Sequence, residues 1–170
     1  MEMNFCRRCG AKLTNVENHV YQCKNDHVLY ANASPSVGVF IIDDNKRVTL
    51  SVRGIEPHKG MLDAFGGFLD GAELVEDALK RELKEELGLD EGDYTSPVFL
   101  CSGLGEYPHA NETLSILSLL YYIQLKPGVT LHPQDDVADI ATFALHEVPT
   151  ERLHAADIVR GIKALQRHFS

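Results

Sequence analysis

The most constraining feature of the sequence is a predicted helix over residues 73–88 that carries three glutamates on its apolar side. Gly88 marks its end, because glycine adopts the left-handed conformation that commonly closes a helix. At about 100° per residue, Glu82, Glu85 and Glu86 fall on one face. The other residues on this side are apolar: Val75, Ala78, Leu79 and Leu83. The three carboxylates are therefore expected to be partly removed from water.

A glutamate-rich helix usually presents its charges to solvent. Here Asp77, Lys80 and Lys84 already occupy the solvent side, opposite the glutamates. Clustered carboxylates in a dry environment repel one another and take up protons unless cations bind among them. Magnesium and manganese prefer oxygen ligands of this kind. The sequence therefore predicts a divalent metal site on this helix.

The segment from Gly67 to Leu89 carries a family resemblance. It reads GFLDGAELVEDALKRELKEELGL, which matches every fixed position of the Nudix box, G-x5-E-x7-R-E-U-x-E-E-x-G-U with U apolar. The positions filled are Gly67, Glu73, Arg81, Glu82, Leu83, Glu85, Glu86, Gly88 and Leu89. The chain thus resembles the Nudix hydrolases, α/β/α sandwich enzymes with a mixed sheet that cleave a nucleoside diphosphate linked to another moiety.

The resemblance implies roles for the residues of the box. Glu82, Glu85 and Glu86 would bind Mg²⁺ or Mn²⁺ together with the backbone carbonyl of Gly66. Arg81 would orient a glutamate through charge-assisted hydrogen bonds. Activated water would then attack phosphorus in line. Glu82, Glu85 and Arg81 are accordingly the candidate catalytic residues.

The general base stays open at this point. Glu82 or Glu85 could accept the proton, and in this family the role also falls on an acidic residue of a later loop, here Asp135 or Asp136. A solvated turn is the ordinary interpretation of those two aspartates. Glu73 would instead support the junction between loop and helix.

Two departures from the family pattern bear on the site. Phe65 stands where members usually carry proline before the two glycines, so a residue that fixes φ is lost and a looser or reshaped loop is expected. Residues 102–111 read SGLGEYPHAN, and the chain contains no Trp. They lack the S-Q-P-W-P-F-P-x-S array of the NADH-specific branch, so NADH specificity is not supported.

Two residues are candidates for binding the substrate. Arg53, at a predicted strand end, could contact a phosphate or form a simple ion pair. Tyr107 or His109 could stack on a base, or pack within a loop.

Three of the four cysteines lie within residues 6–23, a crowding that disulfide pairing in a reducing compartment would not explain. The spacing predicts a structural zinc site. Its predicted ligands are Cys6, Cys9, Cys23 and His27. Asp26 and His19 stay open as alternatives to His27, and three reduced structural cysteines are the plain alternative to zinc. A metal would stabilise a segment too short to bury much core. The N-terminal cysteine pattern also makes the chain similar to the zinc-ribbon branch that includes the NADH pyrophosphatases.

The pattern predicts a zinc-ribbon element over residues 1–33 and a Nudix domain over 34–170, with residues 32–36 as the linker. The fold class expected for the domain is α/β, with two helices on a mixed sheet and a hairpin between its first two strands. The predicted strands are 37–42, 48–53, 97–102, 113–125 and 139–145, and the helices are 73–88 and 154–168.

The net charge of -9 argues against a protein that grips nucleic acid on a broad basic face, since a polyanion would need local positive charge. Residues 73–93 hold nine acidic and three basic residues, so a diphosphate should bind there through a cation. The apolar run at 114–125 is shorter than the ~20 residues that cross a bilayer. Without an apolar signal core at the N-terminus, a cytoplasmic location is expected.

These observations favour an Mg²⁺- or Mn²⁺-dependent pyrophosphohydrolase that acts on an ADP-ribose-like compound or a dinucleotide. The alternative is a non-catalytic Nudix domain that reads a nucleotide while the zinc element binds a partner. Such readers typically lose glutamates of the box, and none is missing here. The resemblance also suggests a homodimer.

Overall fold

The computed structural model describes residues 3–109 and 111–170, which divide into two units. The first unit runs up to Ser34 and includes Glu106–Ile116; the second comprises Pro35–Gly105 and Leu117–Ser170. The strands are β1 (Leu13–Glu17), β2 (Val20–Cys23), β3 (Val28–Tyr30), β4 (Ser34–Ile42), β5 (Arg47–Arg53), β6 (Leu62–Asp63), β7 (Val98–His109), β8 (Glu112–Ile123) and β9 (Val137–Ala144). The helices are α1 (Val75–Leu87) and α2 (Ala156–His168), with short 3-10 helices at Leu145–Glu147 and Thr150–Arg152. Among these residues, no helix is long and apolar enough to span a membrane.

The first unit contains an antiparallel sheet of β1, β2 and β3. Its small core consists of Cys6, Leu13, Cys23 and Leu29. Two of these four residues are cysteines, so the unit has little apolar side chain to bury. This is why hydrophobic alternation did not predict its three short strands.

The second unit is built on a sheet in the order β6-β5-β4-β8-β7, with β9 paired to β5. The central strand β4 is buried on both faces, and its successive side chains point to opposite sides. Val39 and Ile41 pack in one core with the apolar side of α1. Phe40 and Ile42 pack in a second core with α2. The predicted α/β/α sandwich with a mixed sheet is confirmed.

The predicted hairpin of the first two strands is present. Ile41 pairs with Thr49, and Ile42 pairs with Val48, in antiparallel register. The Asp43 carboxylate closes the turn by accepting the backbone N–H of Arg47 at 2.8 Å. The predicted linker is wrong in part, because β4 already begins within it and includes residues 34–36.

Element boundaries differ from the prediction where tertiary contacts decide them. Strand β7 continues well past residue 102 although Gly103, Gly105 and Pro108 disfavour a strand. The first glycine is needed by packing, since a Cβ at Gly103 would lie 2.6 Å from Cβ of Asp157 in α2. Helix α1 ends as predicted at Gly88, whose φ is 70°.

Gly161 in α2 provides a test of how tightly the helix packs on the sheet. A Cβ there would lie 2.6 Å from the buried ring of Phe40. We expect Gly161→Ala to lower the free energy of unfolding by about 1 kcal/mol or more, because overpacking outweighs the gain in helix propensity. Gly92→Ala is the matched control, since nothing lies within 4 Å of its Cβ. Chemical denaturation should show the loss only at Gly161, and equal stability of both variants would contradict this packing.

Candidate active site

Two consecutive glycines form the turn that faces α1. Gly66 has a φ of 137°, and a Cβ on it would lie 2.3 Å from the carbonyl oxygen of Val37. A Cβ on Gly67 would lie 2.7 Å from Oε1 of Glu82. Only glycine permits both the positive φ and these approaches. The turn therefore brings backbone directly against the glutamates of the helix.

Phe65 anchors the entry to this turn. Its backbone N–H donates to Val39 O at 3.0 Å, and the N–H of Val39 donates back to Phe65 O at 2.7 Å. Its ring is fully buried. Proline has no N–H to donate, so the phenylalanine replaces a φ constraint by a hydrogen bond and a packed ring. With Phe65 in this position, the two-glycine turn still lies against Glu82 and Glu86.

The three glutamates differ in burial. Glu82 and Glu86 retain 8% and 7% of their accessible surface, whereas the side chain of Glu85 is 49% exposed. The carboxylate of Glu86 accepts the backbone N–H of Gly66 at 2.8 Å. Glu82 and Glu86 thus lie in the interior beside the turn, and Glu85 lies at its solvent edge.

Burial raises the pKa of the Glu86 carboxyl to about 9. The Gly66 N–H opposes this shift, while the nearby carboxylates of Glu82, Asp63 and Asp136 add to it. Burial also raises the pKa of Glu82. The charges of Glu82, Asp63 and Asp136 thus disfavour the ionised form of Glu86. A hard divalent cation bound to their oxygens would relieve both effects, so the donor set fits Mg²⁺ or Mn²⁺.

Arg81 connects the glutamates of the box. Its Nε and Nη2 donate to the two carboxylate oxygens of Glu73 at 2.9 and 2.8 Å. Its Nη1 donates to Glu82 at 2.7 Å and to Glu85 at 3.2 Å, and Nη2 also reaches the carbonyl of Phe68 at 3.0 Å. The guanidinium lowers the pKa of Glu73 to about 2. One side chain therefore fixes the orientation of three carboxylates.

The loop before β9 packs on the end of α1. The N–H of Gln134 donates to the Glu86 carbonyl at 2.9 Å, and the N–H of Gly54 donates to Asp136 O at 2.7 Å. The Asp136 carboxylate is close enough to raise the pKa of Glu86. Asp135 is exposed, with a φ of 51°. Of the two loop aspartates, Asp136 is the one whose charge acts on Glu86.

Arg53 is engaged at the end of β5. Its Nη1 donates to Asp63 at 2.8 Å and its Nε to the carbonyl of Pro57 at 3.0 Å. His154 Nε2 lies 2.9 Å from the same Asp63 oxygen. Sequence reasoning identified neither Asp63 nor His154. An acidic residue just before the glycine turn was the available signal for Asp63, whereas nothing in the sequence links His154 to it.

The candidate aromatic Tyr107 is half-buried in β7. It belongs to the stretch Glu106–Ile116, which groups with the first unit, as does His109. Arg53 and the glutamates belong to the second unit.

A second cluster of potential ligands lies in the first unit. The sulfur and nitrogen atoms of Cys6, Cys9, Cys23 and His27 all lie within 4.8 Å of one another. The N–H of Gly10 donates to Cys6 O at 2.8 Å, and the N–H of Asp26 to Cys23 O at 3.0 Å, so two tight turns present the cysteines. Hydrogen bonds from the backbone of Ala11 and then from Asn25 lower the pKa of the Cys9 thiol to about 6. Three sulfurs and an imidazole form a set compatible with structural zinc.

The two alternatives to His27 have other contacts. The Asp26 carboxylate accepts Nε2 of Gln22 at 3.1 Å. The His19 ring stacks against Tyr30 with centroids 5.9 Å apart. The fourth cysteine, Cys101, lies outside the cluster in β7.

The chain matches a known domain family and is similar to curated proteins. The model of the NUDIX domain family matches residues 33–162. The human mitochondrial NAD(P)H pyrophosphatase NUDT13 is 33% identical over 87 residues, which cover 51% of this chain and 24% of that protein. The NAD-capped RNA hydrolase NudC of Pseudomonas putida is 25% identical over 150 residues, which cover 87% of this chain and 50% of that protein. The chain thus spans half or less of the length of these curated relatives.

The fold has a matching solved structure. A NUDIX hydrolase from Nitrosomonas europaea superposes with a TM-score of 0.70 at 20% identity, over 99% of this chain and 94% of that one. Such a likeness shows the fold alone. The family model, by contrast, covers most of the chain and includes the glycine turn and the glutamate helix described above. This chain belongs to the NUDIX domain family.

Proposed function

We propose that this chain is an Mg²⁺- or Mn²⁺-dependent pyrophosphohydrolase that cleaves the diphosphate of a nucleoside diphosphate linked to another moiety. The observation that carries the proposal is the packing of Glu82 and Glu86 against the Gly66–Gly67 turn, with Glu85 at the solvent edge. A divalent cation bound there would neutralise diphosphate oxygens and lower the pKa of a bound water.

The chain's own residues would then divide the work. Glu82, Glu85, Glu86 and the carbonyl of Gly66 are the proposed metal ligands. Arg81 is a positioning residue for Glu82 and Glu85, because its guanidinium bonds to both carboxylates. Fixed carboxylates reduce the reorganisation needed when charge develops at phosphorus.

Glu85 is our first choice as general base. Its carboxylate is nearly half exposed, and its contact with Arg81, at 3.2 Å, is longer than the 2.7 Å contact of Glu82. A water molecule can therefore reach it, as proton transfer requires. Asp136 is the second choice, since it is the loop aspartate that influences Glu86.

The favoured substrates are ADP-ribose-like compounds and dinucleotides. The names of the relatives, an NAD(P)H pyrophosphatase and NAD-capped RNA hydrolases, support a substrate that contains an NAD-type diphosphate. Arg53 is the proposed phosphate contact, with its guanidinium held by Asp63 and Pro57. Tyr107 is the proposed stacking partner for a base.

The chain is proposed to consist of two parts, of which the first binds zinc. We assign residues 1–33 to a zinc ribbon and 34–170 to the hydrolase domain, and we expect a structural zinc ion on Cys6, Cys9, Cys23 and His27. Four protein ligands leave no position for water, so this metal would support folding and not catalysis.

The hydrolase function is tested with NAD, NADH, ADP-ribose and diadenosine polyphosphates in the presence of Mg²⁺ or Mn²⁺. We expect metal-dependent release of mononucleotides, with Glu85→Gln and Glu86→Gln lowering kcat by about 100-fold or more, as when a group that stabilises the transition state is removed. Glu76→Gln, an exposed glutamate of the same helix, should leave the rate unchanged. Tight nucleotide binding without turnover would favour the reader function instead.

The metal site has a stability signature that depends on pH. A carboxyl whose pKa is higher in the folded chain destabilises it increasingly as pH rises from the unfolded value towards the folded value near 9. In metal-free buffer, Glu86→Gln should therefore raise Tm, and by more at pH 8 than at pH 5. Mg²⁺ should raise the Tm of the parent but not of the variant. A variant less stable than the parent at pH 8 without metal would contradict this account.

The zinc proposal predicts one equivalent of zinc in the purified protein by elemental analysis. Cys6→Ser should lower the zinc content to well below one equivalent and reduce thermal stability, because metal binding contributes directly to folding of such small elements. Cys101→Ser is the matched control and should leave the zinc content unchanged. Unchanged stability of Cys6→Ser in a protein without zinc would refute the site.

A further inference from the structure

His154 is a largely buried histidine that the proposed function does not use. It follows the short 3-10 helix Thr150–Arg152, and its backbone N–H donates to the carbonyl of Leu62 at 3.1 Å. The preceding residue, Leu153, forms a parallel bridge with the same Leu62 of β6. The segment before α2 is therefore anchored beside β6. This anchoring brings Nε2 of the imidazole to 2.9 Å from Oδ2 of Asp63.

One oxygen of Asp63 joins the histidine to an arginine. Oδ2 accepts Nη1 of Arg53 at 2.8 Å, and the same atom is the one that His154 Nε2 contacts. Because an ionised carboxylate can only accept hydrogen bonds, Nε2 is the ring nitrogen that carries the hydrogen. The other oxygen, Oδ1, accepts the backbone N–H of Ala64 at 2.8 Å. The carboxylate is thus fixed at both oxygens, and the histidine bonds to the atom that holds the arginine.

These three polar side chains are largely removed from solvent. The exposed fractions of Arg53, Asp63 and His154 are 15%, 14% and 12%. Buried ionic groups contribute little net stability to a fold, because the cost of removing them from water offsets most of their attraction. Packed apolar side chains of similar volume often stabilise such a position equally well. The set is therefore better explained by a chemical role than by stability alone.

Two sets of contacts place Arg53 in the neighbourhood of the proposed metal site. The negative charge of Asp63, its ion-pair partner, acts on Glu86 and adds to the rise in the pKa of that glutamate. The next residue, Gly54, donates its N–H to the carbonyl of Asp136 at 2.7 Å. The charge of Asp136 also acts on Glu86. The arginine therefore lies in the region where a diphosphate bound through a cation would be held.

The backbone at Arg53 departs from regular strand pairing. Val52 pairs with Asp139 of β9, whereas Arg53 pairs with Val137, so one residue of β9 is skipped between the two pairs. An irregularity of this kind changes the direction in which a side chain points, and it is common next to binding sites. The guanidinium Nε also donates to the carbonyl of Pro57 at 3.0 Å. Both the position and the orientation of the arginine are thus fixed by the chain around it.

We propose that His154 is a positioning residue that, through Asp63, holds Arg53 in the orientation that binds a phosphate of the substrate. This inference rests on the proposed function, because the arginine needs a diphosphate to act on. Nε and Nη1 of the guanidinium are committed to Pro57 and Asp63, and Nη2 is the nitrogen that meets the phosphate. Without the imidazole N–H, the carboxylate would lose one of the two donors on Oδ2. The arginine would then have to be ordered when the substrate binds, at a cost in affinity.

Binding is tested by isothermal titration calorimetry with the α,β-methylene analogue of ADP and Mg²⁺, because the diphosphate of this analogue cannot be hydrolysed. We expect His154→Ala to weaken binding about tenfold, since a preorganised contact is lost. His154→Gln can place an amide N–H near the position of Nε2 and should bind as the parent does, whereas the shorter side chain of His154→Asn should not restore binding. His146→Ala, at an exposed histidine, is the matched control and should leave the affinity unchanged. Parent-like binding by His154→Asn, or equal loss in His154→Gln and His154→Asn, would overturn the proposal.

A double-mutant cycle distinguishes positioning of the arginine from an unrelated loss of affinity. If the histidine acts through Arg53, adding His154→Ala to Arg53→Ala should weaken binding of the analogue by less than about twofold further, because the two changes remove the same contact. Losses that multiply as independent effects would refute a role through the arginine. Thermal denaturation shows whether His154→Ala folds. If it does not, His154→Gln and His154→Asn replace it in the cycle, since both keep a polar side chain.

Turnover distinguishes a failure of this inference from a failure of the proposed function. For hydrolysis of ADP-ribose, His154→Ala should raise KM about tenfold and leave kcat near the parent value, as when a contact made equally in the ground state and the transition state is lost. An unchanged KM in this variant, with hydrolysis intact, would refute the positioning role but not the hydrolase. Binding of the analogue that depends on His154, without turnover of any substrate, would refute the hydrolase alone.

Discussion

The structure depends on the close approach of α1 to the Gly66–Gly67 turn. A Cβ at either glycine would collide with Val37 or with the carboxylate of Glu82. The same contact buries Glu86 and gives it a backbone hydrogen bond. The helix packs through its apolar residues, so its glutamates are carried into the interior with them. A stable fold and a concentrated anionic site are therefore consequences of one packing arrangement.

Acidic and basic side chains are concentrated on different helices of this protein. Arg81 orients the carboxylates of Glu73, Glu82 and Glu85, but burial still raises the pKa of Glu86. The exposed side of α2 carries the opposite sign, and α2 packs in a different core from α1. The net charge of -9 describes neither surface.

The elements with strong local patterns were predictable from sequence. The β4–β5 hairpin follows from two apolar runs around a polar turn, and the end of α1 follows from Gly88. The three short strands of the first unit were not predicted, because their core relies on cysteines. Strand β7 was underestimated because its glycines disfavour a strand locally, although packing requires one of them. In β7, a contact distant in sequence outweighed local preference.

By itself, the sequence determined the chemistry available to this protein: three glutamates on the apolar side of a helix, two glycines before it, and three cysteines with a histidine near the N-terminus. It did so because helical periodicity and ligand type are local properties. Only the tertiary structure decided which of these groups are buried. It also showed that a hydrogen bond and a buried ring hold Phe65 where proline is usual. Finally, it brought Asp136 and Asp63 close enough to influence Glu86. Those relations join residues far apart in the chain, and burial and electrostatics act through space.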